Sequence, residues 1–126
     1  MRTFFLITFF VVLVSSVKAQ TINQYTISFD NAVHHEAEIT ATFTNLSEGP
    51  FEVRMSRTSP GRYAIHDFAK NVYDVHAYDS KGNELDVSRP NPQQWDVTGH
   101  DGTVVFTYTL FANRGGGTGE VELILR

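Results

Sequence analysis

Beyond residue 24 the chain alternates hydrophobic and polar positions with a period of two. Tyr25, Ile27 and Phe29 alternate with Thr26, Ser28 and Asp30; Ala37, Ile39, Ala41 and Phe43 with Glu36, Glu38, Thr40, Thr42 and Thr44. Phe51, Val53 and Met55 follow the same rule, as do Tyr73, Val75 and Ala77, and then Val104, Phe106, Tyr108 and Leu110. Successive side chains of a strand point to opposite faces, so each run predicts a strand with one buried face. Residues 45–50, Ser59-Pro60-Gly61, Ser80-Lys81-Gly82-Asn83 and Arg89-Pro90-Asn91-Pro92 separate the runs as turns or loops. Many short strands at regular spacing predict an all-β fold, an antiparallel β-sandwich or a saddle-like sheet.

Two stretches depart from the alternation. Residues 62–71, RYAIHDFAKN, show neither period two nor turn chemistry. They read as one or two helical turns or as an irregular crossover between sheets, a place where a β-domain shows something to a neighbour. Near the C-terminus, Gly115-Gly116-Gly117 and Thr118-Gly119 precede GEVELILR, which reads either as a last strand or as an abrupt stop.

The first residues have a different character. Arg2 precedes an apolar run over residues 4–14 broken by Thr8, and Val17-Lys18-Ala19 gives a small-residue cleavage site before Gln20. Residues 1–19 therefore read as a secretory signal peptide, too short for a spanning helix, which needs roughly 20 apolar residues. The mature chain is expected to be exported, periplasmic or extracellular, with no membrane span after cleavage. Loss of Arg2 and Lys18 with the leader leaves eight basic against 14 acidic residues, a net charge of −6. An acidic chain without a basic run argues against nucleic acid as a partner. With no cysteine there is no disulfide framework, thiolate metal site or cysteine nucleophile. The mature length suits one domain.

Candidate chemistry is sparse. Residues 34–39, HHEAEI, open like the zinc motif H-E-x-x-H but carry Ile39 where the second histidine belongs. That motif also needs a helix, on which positions i and i+4 share a face. In a strand His35 is expected to point inward with Ile39, and Glu36 outward. An incidental metal site from His66, Asp67 and His76 is the remaining option, against the plainer reading of surface histidines. Trp95, Tyr73, Tyr78 and Phe111 read either as a stacking platform for a sugar or, more in keeping with a domain of this size, as core.

One stretch says more. SPGRYAIHDFAKNVYDVHAYDSKGNELDV resembles the N-terminal domain of the glycyl-aminopeptidase family of metallopeptidases, family sixty-one. Pro60, Gly61, Tyr63, Asp67, Phe68, Ala69, Asn71, Val72, Ala77, Asp79 and Gly82 sit where that family's pattern has them. Tyr25-Thr26-Ile27-Ser28-Phe29, His35, Glu38-Ile39, Trp95 and the run from Val104 to Phe111 extend the similarity over residues 25–118. The family usually has an aromatic residue before Pro60-Gly61, whereas this chain has Arg57-Thr58-Ser59. Residues 119–126 do not continue the pattern and read as an atypical tail at a truncation point.

The resemblance implies a domain, residues 20–118, that carries no catalytic residue, metal ligand or cofactor. The family's zinc, held by an H-E-x-x-H helix and a downstream glutamate, would belong to a catalytic domain absent from this chain. That catalytic domain is the implied partner, in cis in a longer relative or in trans. Pro60, Gly61, Arg62, Tyr63, Asp67 and Phe68 are the candidate interdomain interface, beside a substrate cleft that the β-domain helps to wall. A function carried at domain level is analogy. The competing expectation is a free-standing exported module that binds a peptide by strand addition or a glycan by stacking.

Overall fold

Seven strands form two antiparallel sheets that face one another in the computed structural model, which describes residues 21–58 and 65–112. The strands are β1 (Ile22–Ser28), β2 (Glu36–Thr44), β3 (Phe51–Arg54), β4 (Val72–Tyr78), β5 (Asp86–Asn91), β6 (Gln94–Thr98) and β7 (Val104–Phe111). One sheet has the order β1-β2-β7-β4, the other β3-β6-β5. The all-β expectation holds, and the arrangement is sandwich-like.

The period-two pattern does the expected work in the two central strands of the larger sheet. Ala37, Ile39, Ala41 and Phe43 of β2 and Val104, Phe106, Tyr108 and Leu110 of β7 are buried, while their alternates are not. They meet Val53, Met55, Trp95 and Val97 from the smaller sheet. Ile39, Val53, Val97, Val104 and Phe106 are the largest fully buried side chains, and Trp95 packs edge-on to Phe106 at 6.1 Å between ring centroids. Covering inner faces in this way is what makes two alternating sheets stable together.

The structure corrects four expectations. β1 does not bury its alternate face: Tyr25 and Ile27, paired with Ala41 and Ile39, stay 45 % and 47 % exposed. The smaller sheet has three strands against four, and the buried positions start at β2. Arg89-Pro90-Asn91 is strand rather than loop, within β5, and the turn falls at Pro92-Gln93. Pro90 is accommodated because β5 is an edge strand whose register with β6 shifts between Ser88 and Asn91.

Tyr73, Val75 and Ala77 do not share one face. β4 carries a bulge between Tyr73 and His76, with Asp74 left-handed at φ 53°, so Val72 and Ala77 point inward while Tyr73 and His76 point outward. One inserted residue inverts the phase of a strand. Lastly, His35 is not inward. It is exposed and left-handed at φ 60°, ending the 3₁₀ turn Ala32–His34, with its N–H on the Ala32 carbonyl at 2.9 Å. β2 begins only at Glu36, so Ile39 is buried and the glutamates face out as expected.

The irregular stretch of the sequence contains the 3₁₀ turn Phe68–Asn71, which drops Phe68 and Ala69 into the core. The leader residues 1–19 and the tail residues 119–126 lie outside the described residues.

Candidate interdomain interface

The segment that departs from alternation is anchored at both ends by its own backbone. Arg57 closes it: its carbonyl accepts the N–H of His66 at 2.7 Å and of Asp67 at 3.3 Å, and Thr58 bridges Ile65 in antiparallel sense. Pro60, Gly61, Arg62 and Tyr63 lie outside the described residues.

Asp67 is the polar centre of the described part. Its Oδ1 accepts from Arg57 Nε at 2.9 Å and from Gln93 Nε2 at 3.4 Å, while its carbonyl accepts the Lys70 N–H at 3.1 Å. Its backbone is left-handed, at φ 46° and ψ 54°, a conformation that aspartate tolerates better than most residues. The ion pair is half exposed, so it positions the segment more than it stabilises it. Phe68 is turned inward, 5 % exposed, with the His66 ring stacked on it at 5.2 Å. Of the two described interface candidates, Asp67 offers a group at the surface and Phe68 anchors the turn beneath it. Ile65, 67 % exposed, stands beside them.

The smaller sheet continues this surface. Arg54, Met55, Arg57, Asn91, Gln93 and Gln94 line a shallow depression of about 410 Å³. Below it, Arg89 reaches across β5, giving Nη2 to the carbonyls of Pro92 at 2.7 Å and Ala69 at 3.3 Å while its guanidinium lies 4.8 Å from the Trp95 ring. Arg89 thus ties the 3₁₀ turn to the strand pair that carries the depression.

The other candidate residues are not brought together. Trp95 is in the core, on the opposite side of the larger sheet from Tyr73, Tyr78 and Phe111, so the four make no common platform. His66 stacks on Phe68, whereas His76 is held between Glu84 (Nδ1 to Oε1, 2.8 Å) and Asp74 (Nε2 to Oδ1, 3.2 Å). Hydrogen bonds to those two carboxylates raise the His76 pKa. Among the described residues no group of three His, Cys, Asp or Glu side chains is placed to hold a metal ion.

One cluster escaped the sequence. On the outer face of the larger sheet, Glu36 accepts hydrogen bonds from the Tyr73 hydroxyl and the Asn31 amide. The bond to Glu36 pushes the Tyr73 pKa up to about 12, and the same bond lowers that of Glu36. Tyr73 crosses over Thr109 of β7 to reach β2. No spacing in the sequence reports a contact between residues 37 apart that depends on a bulge.

Comparison with known proteins follows from this geometry. The family model described as Peptidase M61 N-terminal domain matches residues 24–122. A crystal structure of an aminopeptidase N family protein from Idiomarina loihiensis superposes with a TM-score of 0.69 at 22 % identity, covering 75 % of this chain. The chain spans only 16 % of that protein's length, and the likeness is one of fold. No curated protein matches the sequence.

Proposed function

The chain belongs to the family of M61 peptidase N-terminal domains, and on that premise we propose that it is the non-catalytic N-terminal domain of an exported zinc aminopeptidase. In this reading it packs against a catalytic domain and helps to wall the substrate cleft. The family match over residues 24–122 is the observation that carries the proposal. The zinc and its H-E-x-x-H helix belong to the catalytic domain, supplied in cis in a longer relative or in trans by a second polypeptide. Export rests on the leader-like residues 1–19.

The contact surface we assign is Pro60, Gly61, Arg62 and Tyr63 together with the paired Arg57 and Asp67. Support comes from the bonds of the Arg57 carbonyl to His66 and Asp67 and from the Thr58–Ile65 bridge, which draw the two flanking stretches together, and from exposed Ile65 beside them. Contacts between domains of one chain resemble transient interfaces, and a short linker supplies an effective concentration in the millimolar range. Association in trans is therefore expected to be weak, with a dissociation constant up to about the millimolar range.

The test mixes the purified chain with the catalytic region of an M61 relative stripped of its own N-terminal domain. Titration calorimetry should show one-to-one binding that weakens at least tenfold with Arg57→Glu. No heat of binding with the separate parts, and no gain in aminopeptidase activity when the two are fused, would defeat the proposal.

A further inference from the structure

Among the described residues β1 is an outer strand of the larger sheet, and its free side suits one more strand. It runs seven residues in unbroken register with β2, and residues 21–29, TINQYTISF, hold no charge and no proline. The other outer strand of that sheet, β4, is interrupted by its bulge and by left-handed Asp74. Bulges and charges are means by which an edge is closed to further pairing. On the inner face of β1, Tyr25 and Ile27 are 45 % and 47 % exposed, and Phe29, just past the strand, is 66 % exposed.

Three stretches lie outside the described residues. Residues 1–20 include the expected leader. Residues 59–64, SPGRYA, carry no alternation, and their flanks pair with each other at Thr58 and Ile65. Residues 113–126 carry an alternating run, in which Val121, Leu123 and Leu125 alternate with Glu122, Ile124 and Arg126.

Direction and reach both lead from β7 to β1. The two strands run antiparallel to β2, so they are parallel to each other and end on the same side of the sheet, Phe111 against Glu36 and Ser28 against Glu38. A chain that leaves β7 and turns back therefore runs antiparallel to β1. Against β4 it would run parallel, the slightly weaker pairing. A strand added beside β1 lies three strand spacings from β7, roughly 14 Å. Residues 113–120, NRGGGTGE, stand between Ala112 and Val121. A glycine-rich chain of that length has a root-mean-square span of about 16 Å.

We propose that residues 121–125 dock on β1 as a further, antiparallel strand, with Val121 opposite Phe29, Leu123 opposite Ile27 and Leu125 opposite Tyr25. In this register three apolar side chains cover the three exposed apolar positions, while Glu122 and Ile124 stand on the outer face opposite Ser28 and Thr26. Slipping by one residue turns Glu122 inward, so the pattern selects the phase. Ile22 and Asn23 lie beyond the contact. The inference is independent of the peptidase reading, since it uses different residues.

Residue-resolved amide exchange on the purified chain tests it. In an antiparallel outer strand only alternate N–H groups have a partner; a strand on the free side supplies the others. Consecutive amides over residues 22–28 should therefore be protected, to the same degree at every protein concentration. Leu123→Asp puts a charge against Ile27 and should speed exchange at the alternate, outward-pointing amides of β1 by about tenfold or more, leaving β5 unchanged. Ile124→Asp, on the outer face, should leave the β1 pattern as it is. Free exchange at alternate β1 amides in the unmodified chain overturns the proposal without any variant. So does protection that grows with concentration, which would assign the edge to another copy, and so does protection that survives Leu123→Asp.

Discussion

Trp95 separates the two functional readings of the sequence, because a sugar platform and a core residue respond oppositely to truncation. In the structure it is 3 % exposed, packed on Phe106 and covered by the Arg89 guanidinium. A tryptophan in that position buries about 200 Å². At about 25 cal/mol per Å² the burial is worth about 5 kcal/mol, an upper figure because denatured chains are themselves partly compact. Alanine keeps a small part of this and leaves a cavity that neighbours fill incompletely, so Trp95→Ala should cost about 4 kcal/mol. Domains of this size have about 5–15 kcal/mol in total. With an m-value of about 2 kcal/mol per M, the urea midpoint falls by about 2 M. Tyr78→Ala is the control. Tyr78 lies half-buried on the outer face, stacked on His76, and its loss should cost under about 1 kcal/mol. The assay is equilibrium urea unfolding followed by far-ultraviolet circular dichroism. A Trp95→Ala chain with an unchanged midpoint but lost binding of an oligosaccharide or peptide would refute the core assignment and favour a free-standing recognition module.

Three further outcomes follow from the geometry. The raised pKa of His76 means that its pairing with Glu84 and Asp74 stabilises the fold fully below about 6.5 and fades as pH rises through the higher folded value. Melting temperature should fall across that window in the parent and stay flat in His76→Gln; a parallel fall in both would show that another group is responsible. For Glu36 the sign is opposite: its lowered pKa gives stability above the unfolded value near 4.5 that is lost on acidification. Tyr73→Phe removes the main cause, so the Glu36 carboxyl, followed by carbon NMR, should titrate at higher pH, and an unmoved curve would mean the Tyr73 bond is absent in solution. At Asp67, alanine and glycine both remove the Arg57 contact, but only glycine tolerates φ 46° without strain. Asp67→Ala should therefore be less stable than Asp67→Gly by about 1 kcal/mol in urea unfolding, and equal midpoints would argue against the left-handed turn.

The alternation along β2 and β7 made the core of the larger sheet legible, because both faces of those strands keep a fixed relation to the second sheet. It failed where that relation breaks. β1 carries the same pattern, yet its inner face stays exposed among the described residues, and which strands face it is not written in any one strand. The β4 bulge exchanged the faces of Tyr73 and Ala77, since one extra residue is invisible to a period counted from sequence. Arg89-Pro90-Asn91 looked like a loop because proline is barred from central strands, but an edge strand admits it. HHEAEI was half readable. Glu36 and Ile39 took the faces expected of a strand, whereas His35 belongs to the preceding turn and swings out. The interface candidates were chosen by resemblance, and of the described ones only Asp67 turned out to have an outward polar role, the alternation giving no means to foresee that Phe68 would be drawn inward by a 3₁₀ turn.

The central claim, that this chain serves as the N-terminal domain of a zinc peptidase, is met most directly at its own locus. Sequencing the DNA beyond the Arg126 codon and translating it in all frames should reveal a catalytic region with an H-E-x-x-H helix and a downstream glutamate. Reading frames that carry unrelated proteins, with no such region nearby, would contradict the account.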